Sequence, residues 1–356
     1  MLEKNNSYFQ DLHLLRGVAI LSIVISHASD TYLYYHQQIA GEYEPGRLLT
    51  AINEVLWHDT TIYFTLISGL LFSTVLASRG WTAFFYGRAR NVLLPYMAMS
   101  ALFTLIDYHI DIKGNAFYVY NYGFFPYLKE VLKNILLGKA SFPYWYIPIL
   151  FFLYLLTPVV YLIARRISLL IMIIAILPLF FSRTLILLSP QSVIFFLGAY
   201  ATGIYFGINY KENISYLRSR IVVFATIAAI TTILLLIFYI NEWSTDGLVS
   251  IEESLFYLQK FSLTALFLVV LNNYQNQLPS WLGVFAKYAF TIFFIHTFFL
   301  HILTSIALAL VPPPVPTTGL ILVMIVILII GMLICVGIST VLKHVFGRYS
   351  RMLIGA

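Results

Sequence analysis

Two ionisable side chains interrupt an apolar run near the N-terminus: Arg16 and His27, within LLRGVAILSIVISH from Leu14 to His27. Charged or titratable groups in such a run are costly in lipid, so they point to a site. Eleven residues at 100° each make about 1,100°, within about 20° of three full turns, with a rise of about 16 Å. A helix therefore presents both on one stripe. A cavity along that stripe meets a fixed cation at its mouth and an imidazole roughly half a bilayer deeper. A long amphipathic donor such as acyl-CoA matches this separation, with its phosphates on arginine and its thioester near the imidazole. Neutral histidine, with an unperturbed pKa near 6.5, can take the proton of a hydroxyl as it attacks. The structural alternatives are snorkelling of Arg16 to the membrane surface and pairing of His27 with a backbone carbonyl. Asp30, on a neighbouring face, is placed either to orient the imidazole or to be solvated at the outer boundary.

The elements that must position these residues are membrane helices. Of the 356 residues, 60% are hydrophobic and only 10% charged, and the mean hydropathy is +0.87, too little polar surface to coat a water-soluble globule. At roughly 20 residues per crossing, the chain holds about ten helices in one domain. We place them near Asp11 to Ser29, Thr60 to Ser78, Val92 to Ile110, Trp145 to Ala164 and Ser168 to Leu187. The second half holds Ser192 to Gly207, Ile221 to Ile240, Leu255 to Leu271, Leu282 to Leu308 and Thr318 to Val341. The fold class is thus all-α and integral to the membrane. Arg16 and His27 in the first run, with no small-residue cleavage pattern after it, argue against a cleaved signal peptide. Lys260 breaks the apolar run of the eighth span.

Loop charge sets the expected topology. Lys4, Arg16, Arg79, Arg88, Arg90, Arg165, Arg166, Lys211, Arg218, Arg220, Lys287, Lys343, Arg348 and Arg351 fall on one side, 14 of the 21 basic residues, which makes that side and both termini cytoplasmic. Acidic residues gather opposite, including Asp30, Glu42, Glu44, Glu54, Asp59, Asp107, Asp111, Glu242, Asp246, Glu252 and Glu253. The net charge of +6 is dispersed over short loops, so it reports topology and not a nucleic-acid partner. The aromatic-rich outer loops, Asp30 to Asp59 and Asp111 to Tyr144, suit the membrane interface and also stacking on sugar rings. Pro312, Pro313, Pro314 and Pro316 form a rigid extended turn. The single cysteine, Cys335, is an inert thiol in an apolar span. No HExxH, CxxC or paired carboxylate in a span suggests a metal.

Arg16, ten residues and His27 resemble the Arg-X10-His signature of the membrane-bound acyltransferase-3 family, integral membrane O-acyltransferases that modify glycans. YFTLISGLLFS, with Ser68 and Gly69, is similar to the family's FF-x-x-SG-F stretch. FFYGRARNVLLPY, with Arg88 and Pro95, resembles its basic RxxR-to-Pro segment; here Asn91 stands where the second arginine is usual, and the extra cation is Arg90. FPYWYIPILFFLYLLTP, with Trp145 and Pro158, and KYAFTIFFIHTFF, with His296, look like two further family stretches. The resemblance implies His27 and Arg16 as catalytic residues, and Arg16, Arg88 and Arg90 as contacts to acyl-CoA, most often acetyl-CoA. It further implies Ser68, Trp145 and His296 on the substrate side, a carbohydrate hydroxyl as acceptor and no metal. The partners implied are the donor, the glycan and membrane lipid, in the inner (plasma) membrane.

The rival reading is a multi-pass transporter of a glycan or small solute, using Arg16 and His27 in a proton or substrate pathway. A transporter is expected to show two similar halves, and LLRGVAILSIVISH has no counterpart in the second half. A third reading, an assembly or export component with a decayed site, sits poorly with retention of both residues.

Overall fold

The computed structural model describes residues 3–41, 44–110, 123–183, 188–243, 245, 247, 249–274 and 277–355, with side chains placed from residue 10 onward except at 44, 45 and 107–110. Helix α1, Glu3–Ala40, runs for 38 residues, well past the expected end near Ser29. Nothing between His27 and Ala40 breaks a helix; Gly41 ends it at φ +77°, donating its N–H to Gln37 O at 2.9 Å. The region expected as a loop from Asp30 to Asp59 is instead the outer end of α1 followed by α2, Glu44–Trp57. A tight reversal then leads into α3, Thr61–Leu71, with Asp59 at φ +57°. Of the expected outer acids, Glu42, Asp111 and Asp246 lie outside the described residues, as do the side chains of Glu44 and Asp107. The same holds for the side chain of Lys4, Ser189's preceding segment 184–187 and residues 111–122 of the second outer loop.

After a π-helical turn, Phe72–Leu76, the chain enters α4, Trp81–Arg88, and a second π turn, Ala89–Leu93, that opens into α5, Leu94–Ile110. Pro95 has no N–H for the carbonyl of Asn91, so the backbone loosens just before it. Then come α6, Phe124–Leu137, a short 3-10 turn at Phe142–Trp145, α7, Tyr146–Arg166, and α8, Ser168–Ile176. The second half comprises α9, Pro190–Ile208, α10, Tyr210–Ser219, α11, Ile221–Ile240, and α12, Ile251–Tyr274. It ends with α13, Ser280–Lys287, α14, Ala289–Leu310, α15, Thr317–Phe346, and the short α16, Ser350–Leu353. No strand occurs among the described residues. Nine helical stretches among them are long and apolar enough to cross a membrane, and the apolar helix Ser168–Phe180 is shorter. These nine and the shorter one correspond to the ten expected helices, except that the span expected from Leu282 to Leu308 is broken at Tyr288 into α13 and α14.

Helix α1 is the central pillar, packed on α2, α3, α12, α13, α14 and α15. It comes close to α13 at Gly17, where a Cβ would stand 2.5 Å from Leu282 O. A second close crossing joins α3 to α9, where a Cβ at Gly69 would strike Tyr200 O and one at Gly203 would strike Leu66 O. Only glycine permits such backbone contact in lipid, where close packing replaces the hydrophobic drive between helices. Apolar side chains face outward along α11 and α15, including Val222, Ile233, Leu322 and Leu333, as a bilayer requires.

Candidate active site

The broken helix α13–α14 explains where Arg16 goes. Its Nη2 donates to Ala286 O at 3.1 Å, and His13 Nε2 lies 3.2 Å from Gly283 O. Ala286 belongs to the last turn of α13, where the break leaves its carbonyl without an intrahelical partner, and Gly283 lies one turn earlier. A cation at a helix C-terminus also meets the negative end of its dipole. Arg16 thus braces the break while lining a cavity of about 420 Å³ with Arg88, Lys287, Lys343, Arg351 and His13. Among the described residues no carboxylate lines it. Arg88 is held over the rings of Phe84 at 5.5 Å and Tyr154 at 4.8 Å. Asn91 reaches the cavity from the second π turn, whereas Arg90 is not among its lining residues. This is the basic end of the molecule.

Eleven residues along α1, His27 lines a second cavity of about 230 Å³. Its Nδ1 lies 2.8 Å from Nε2 of His296, and His296 Nδ1 lies 2.8 Å from Ile292 O. The protonation follows from chemistry, because a carbonyl only accepts. His296 must carry its hydrogen on Nδ1, so its Nε2 is an acceptor. The donor to it is then His27 Nδ1–H, which leaves Nε2 of His27 as the bare nitrogen. The two rings are 5.0 Å apart and within 7° of parallel. His296 is buried on α14 and is not among the residues lining the His27 cavity; it sits behind His27 and orients it. Asp30, the other residue placed to orient the imidazole, is engaged by Asn53 Nδ2 and by Ser26 Oγ at 3.2 Å.

The cavity wall opposite α1 comes from the reversal after α2 and from the 3-10 turn. Tyr144 Oη donates to Phe294 O at 3.0 Å and Ser141 Oγ contacts Thr297 Oγ1 at 3.0 Å. These bonds fix Phe142, edge-on to His27 at 5.4 Å, and Trp145, both lining the cavity. Arg183 lies over the Trp145 ring at 5.4 Å and pairs with Asp59 Oδ1 at 2.6 Å. His58 bonds Glu54 Oε2 through Nδ1 at 2.7 Å and accepts from Arg183 at Nε2, 3.2 Å away. His58, Asp59 and Glu253 bring ligand atoms within 4.8 Å of one another, a spacing that suits a cation. The guanidinium of Arg183 faces all three, its Nε 3.9 Å from Glu253 Oε2, so the charge these groups meet is arginine's. Asp30, Glu54, Asp59 and Glu253 make this the acidic end.

Between the two lies an apolar constriction of about 20 Å³, lined by Phe64, Ser68, Tyr146, Phe290 and Phe293. It shares Phe290 with the basic cavity and Phe293 with the His27 cavity. The three spaces therefore adjoin one another through Phe290 and Phe293 on α14. The structure brings Arg16 with Arg88, His27 with His296 and Trp145 with the His27 cavity, and sets Ser68 in the neck. Lys287, Lys343, Arg351 and Arg183 escaped the sequence reading as site residues. Lys287, Lys343 and Arg351 signalled only as loop charges, which topology already explained, and Arg183 fell inside the span expected from Ser168 to Leu187.

A family profile described as an acyltransferase domain matches residues 9–340. The chain belongs to this acyltransferase-3 family. It is accordingly a multi-pass membrane protein of the acyltransferase class. Comparison with curated proteins and with solved structures found no match.

Proposed function

We propose that the protein is an O-acyltransferase that takes an acyl group, most simply acetyl, from acyl-CoA at its basic end and transfers it to a carbohydrate hydroxyl at its acidic end. The observation that carries this is the succession of spaces linked through Phe290 and Phe293: a cationic cavity lined by Arg16, an apolar neck and a chamber of polar residues lined by His27, whose Nε2 is left bare. The basic end faces the cytoplasm of the inner membrane by the distribution of loop charge, where the donor is available. Arg16 and Arg88 hold its phosphates, and Arg90, outside the lining, adds only longer-range charge. The rise of about 16 Å from Arg16 to His27 matches an extended pantetheine-like arm, and the neck gives that arm an apolar passage beside Ser68 once Phe290 and Phe293 turn aside.

In the His27 cavity the acceptor hydroxyl gives its proton to His27 Nε2 while its oxygen bonds to the thioester carbonyl carbon. The charge that develops on the imidazole is spread toward His296 through the Nδ1–H bond. The carbon–sulfur bond then breaks, and His27 Nε2 returns the proton to the leaving thiolate, so ester and thiol form with no net change in the enzyme. Trp145 offers a face for a sugar ring, and Asp30 and Glu54 offer acceptors for its other hydroxyls. Lipid surrounds the apolar helices, and the reaction calls on no metal and no nucleic acid.

The test is acyl transfer in proteoliposomes supplied with radiolabelled acetyl-CoA. Native protein is expected to move label to glycan or release it as acetate, and His27→Ala to lose this by 10²- to 10⁴-fold. Native protein that neither binds nor consumes acetyl-CoA, yet carries solute across the vesicle, sinks the proposal in favour of a transporter.

A further inference from the structure

The basic cavity is not built by the family-matched segment alone. The match ends at residue 340, yet three residues beyond it, Lys343, Arg351 and Gly355, line the cavity with Arg16 and Arg88. Lys343 lies in the last turn of α15, and Arg351 is carried by α16. That short helix is not a loose tail. It packs on α5 and on the second π turn, which bears Asn91, and the buried residues Ser350 and Ile354 anchor it. Gly355, at φ +76°, approaches α14 so closely that an added Cβ would stand 2.9 Å from Phe290 Cβ. The segment therefore bears on the same phenylalanine that forms the neck. Lys343 and Lys287 share one aromatic partner, their ammonium groups 5.8 and 4.9 Å from the Tyr288 ring.

We infer that the segment after residue 340 completes a polyanion-binding site, with Lys343 and Arg351 contacting phosphate groups of the donor together with Arg16 and Arg88. The chemistry points one way. Five cations and a histidine line one cavity with no carboxylate among its described lining residues, and their mutual repulsion favours a ligand of several negative charges. Asn91, neutral, faces the same cavity from the π turn against which α16 packs, so Arg351 supplies charge at a wall where the lining residues of that turn, Asn91 and Val92, supply none. The inference rests on the reading of this cavity as the donor site, and its test separates the two.

Binding of coenzyme A and of inorganic pyrophosphate to the purified full-length protein is measured by calorimetry for native protein, Lys343→Ala, Arg351→Ala, Arg351→Lys and Arg16→Ala. Thermal melting serves to match folded levels. Charge-assisted bonds of this kind correspond to roughly ten- to hundredfold in affinity. Each alanine variant is expected to weaken coenzyme A by that factor and to flatten its salt dependence, with Arg351→Lys recovering part of the loss. If native protein and both C-terminal alanine variants bind coenzyme A within twofold of one another while Arg16→Ala does not bind, the inference falls and the donor reading stands. If native protein binds pyrophosphate with the same dependence on Lys343 and Arg351 but ignores coenzyme A, the polyanion site holds and the donor reading falls. Binding of neither ligand overturns both.

Discussion

Replacing His296 with leucine removes the one acceptor that fixes the proton of His27. In the native arrangement Ile292 O holds the hydrogen on His296 Nδ1, and His296 Nε2 in turn holds the hydrogen on His27 Nδ1, each across 2.8 Å. Leucine leaves a buried N–H without a partner, and the imidazole is free to move its hydrogen to Nε2, the atom that must be bare for catalysis. The lost bond is worth about 1–3 kcal/mol, so kcat should fall about ten- to hundredfold. Because His296 lines neither substrate cavity, the KM for acetyl-CoA should stay within about twofold. Glutamine, whose carbonyl oxygen can accept from His27 Nδ1, should recover part of the loss. The assay is steady-state release of free thiol from acetyl-CoA by protein in nanodiscs, with acceptor saturating. A leucine variant with native kcat, or one that raises KM and leaves kcat alone, would refute the relay and return His296 to a substrate-contacting role.

Two other substitutions probe the route and its walls. Ser68→Leu fills the neck, so transfer should drop at least tenfold while calorimetric binding of coenzyme A keeps most of its affinity; equal loss of both would mean the neck is not the passage. Lys260→Met tests the turn that carries His58 and Asp59. Lys260, wholly buried in α12, donates to Leu56 O at 2.9 Å and Gln259 Oε1 at 2.5 Å, while Gln259 donates to Val55 O at 3.1 Å. The pair caps the free carbonyls at the end of α2, and its loss should cost about 1–3 kcal/mol, read as a lower melting temperature in detergent; an unchanged melt would contradict the capping role.

Much of the site was legible because it lies on one helix. The spacing of Arg16 and His27 encodes a shared stripe wherever the chain is helical, and α1 is helical throughout. The paired histidines were not legible as a pair. His27 and His296 stand 269 residues apart, and only packing of α14 on α1 brings them together. The break at Tyr288 was hidden because Leu282 to Leu308 is apolar on both sides of it, so hydropathy reads one span where the backbone makes two. Helix α2 was hidden by its own composition: Leu48, Ala51 and Val55 recur at helical spacing, but the aromatic and acidic residues around them read as an interfacial loop. Lys343 and Arg351 registered only as topology charges, since nothing in linear sequence shows that the chain turns back onto α5 after Phe346.

The central claim is that one continuous route joins the basic end to His27 across the membrane. The most direct test is sidedness in oriented proteoliposomes, with radiolabelled acetyl-CoA supplied only on the side of the basic end and a glycan acceptor only on the other. The account predicts labelled glycan in the acceptor compartment and free coenzyme A retained with the donor, both abolished by His27→Ala. Transfer only when donor and acceptor share one compartment would contradict it.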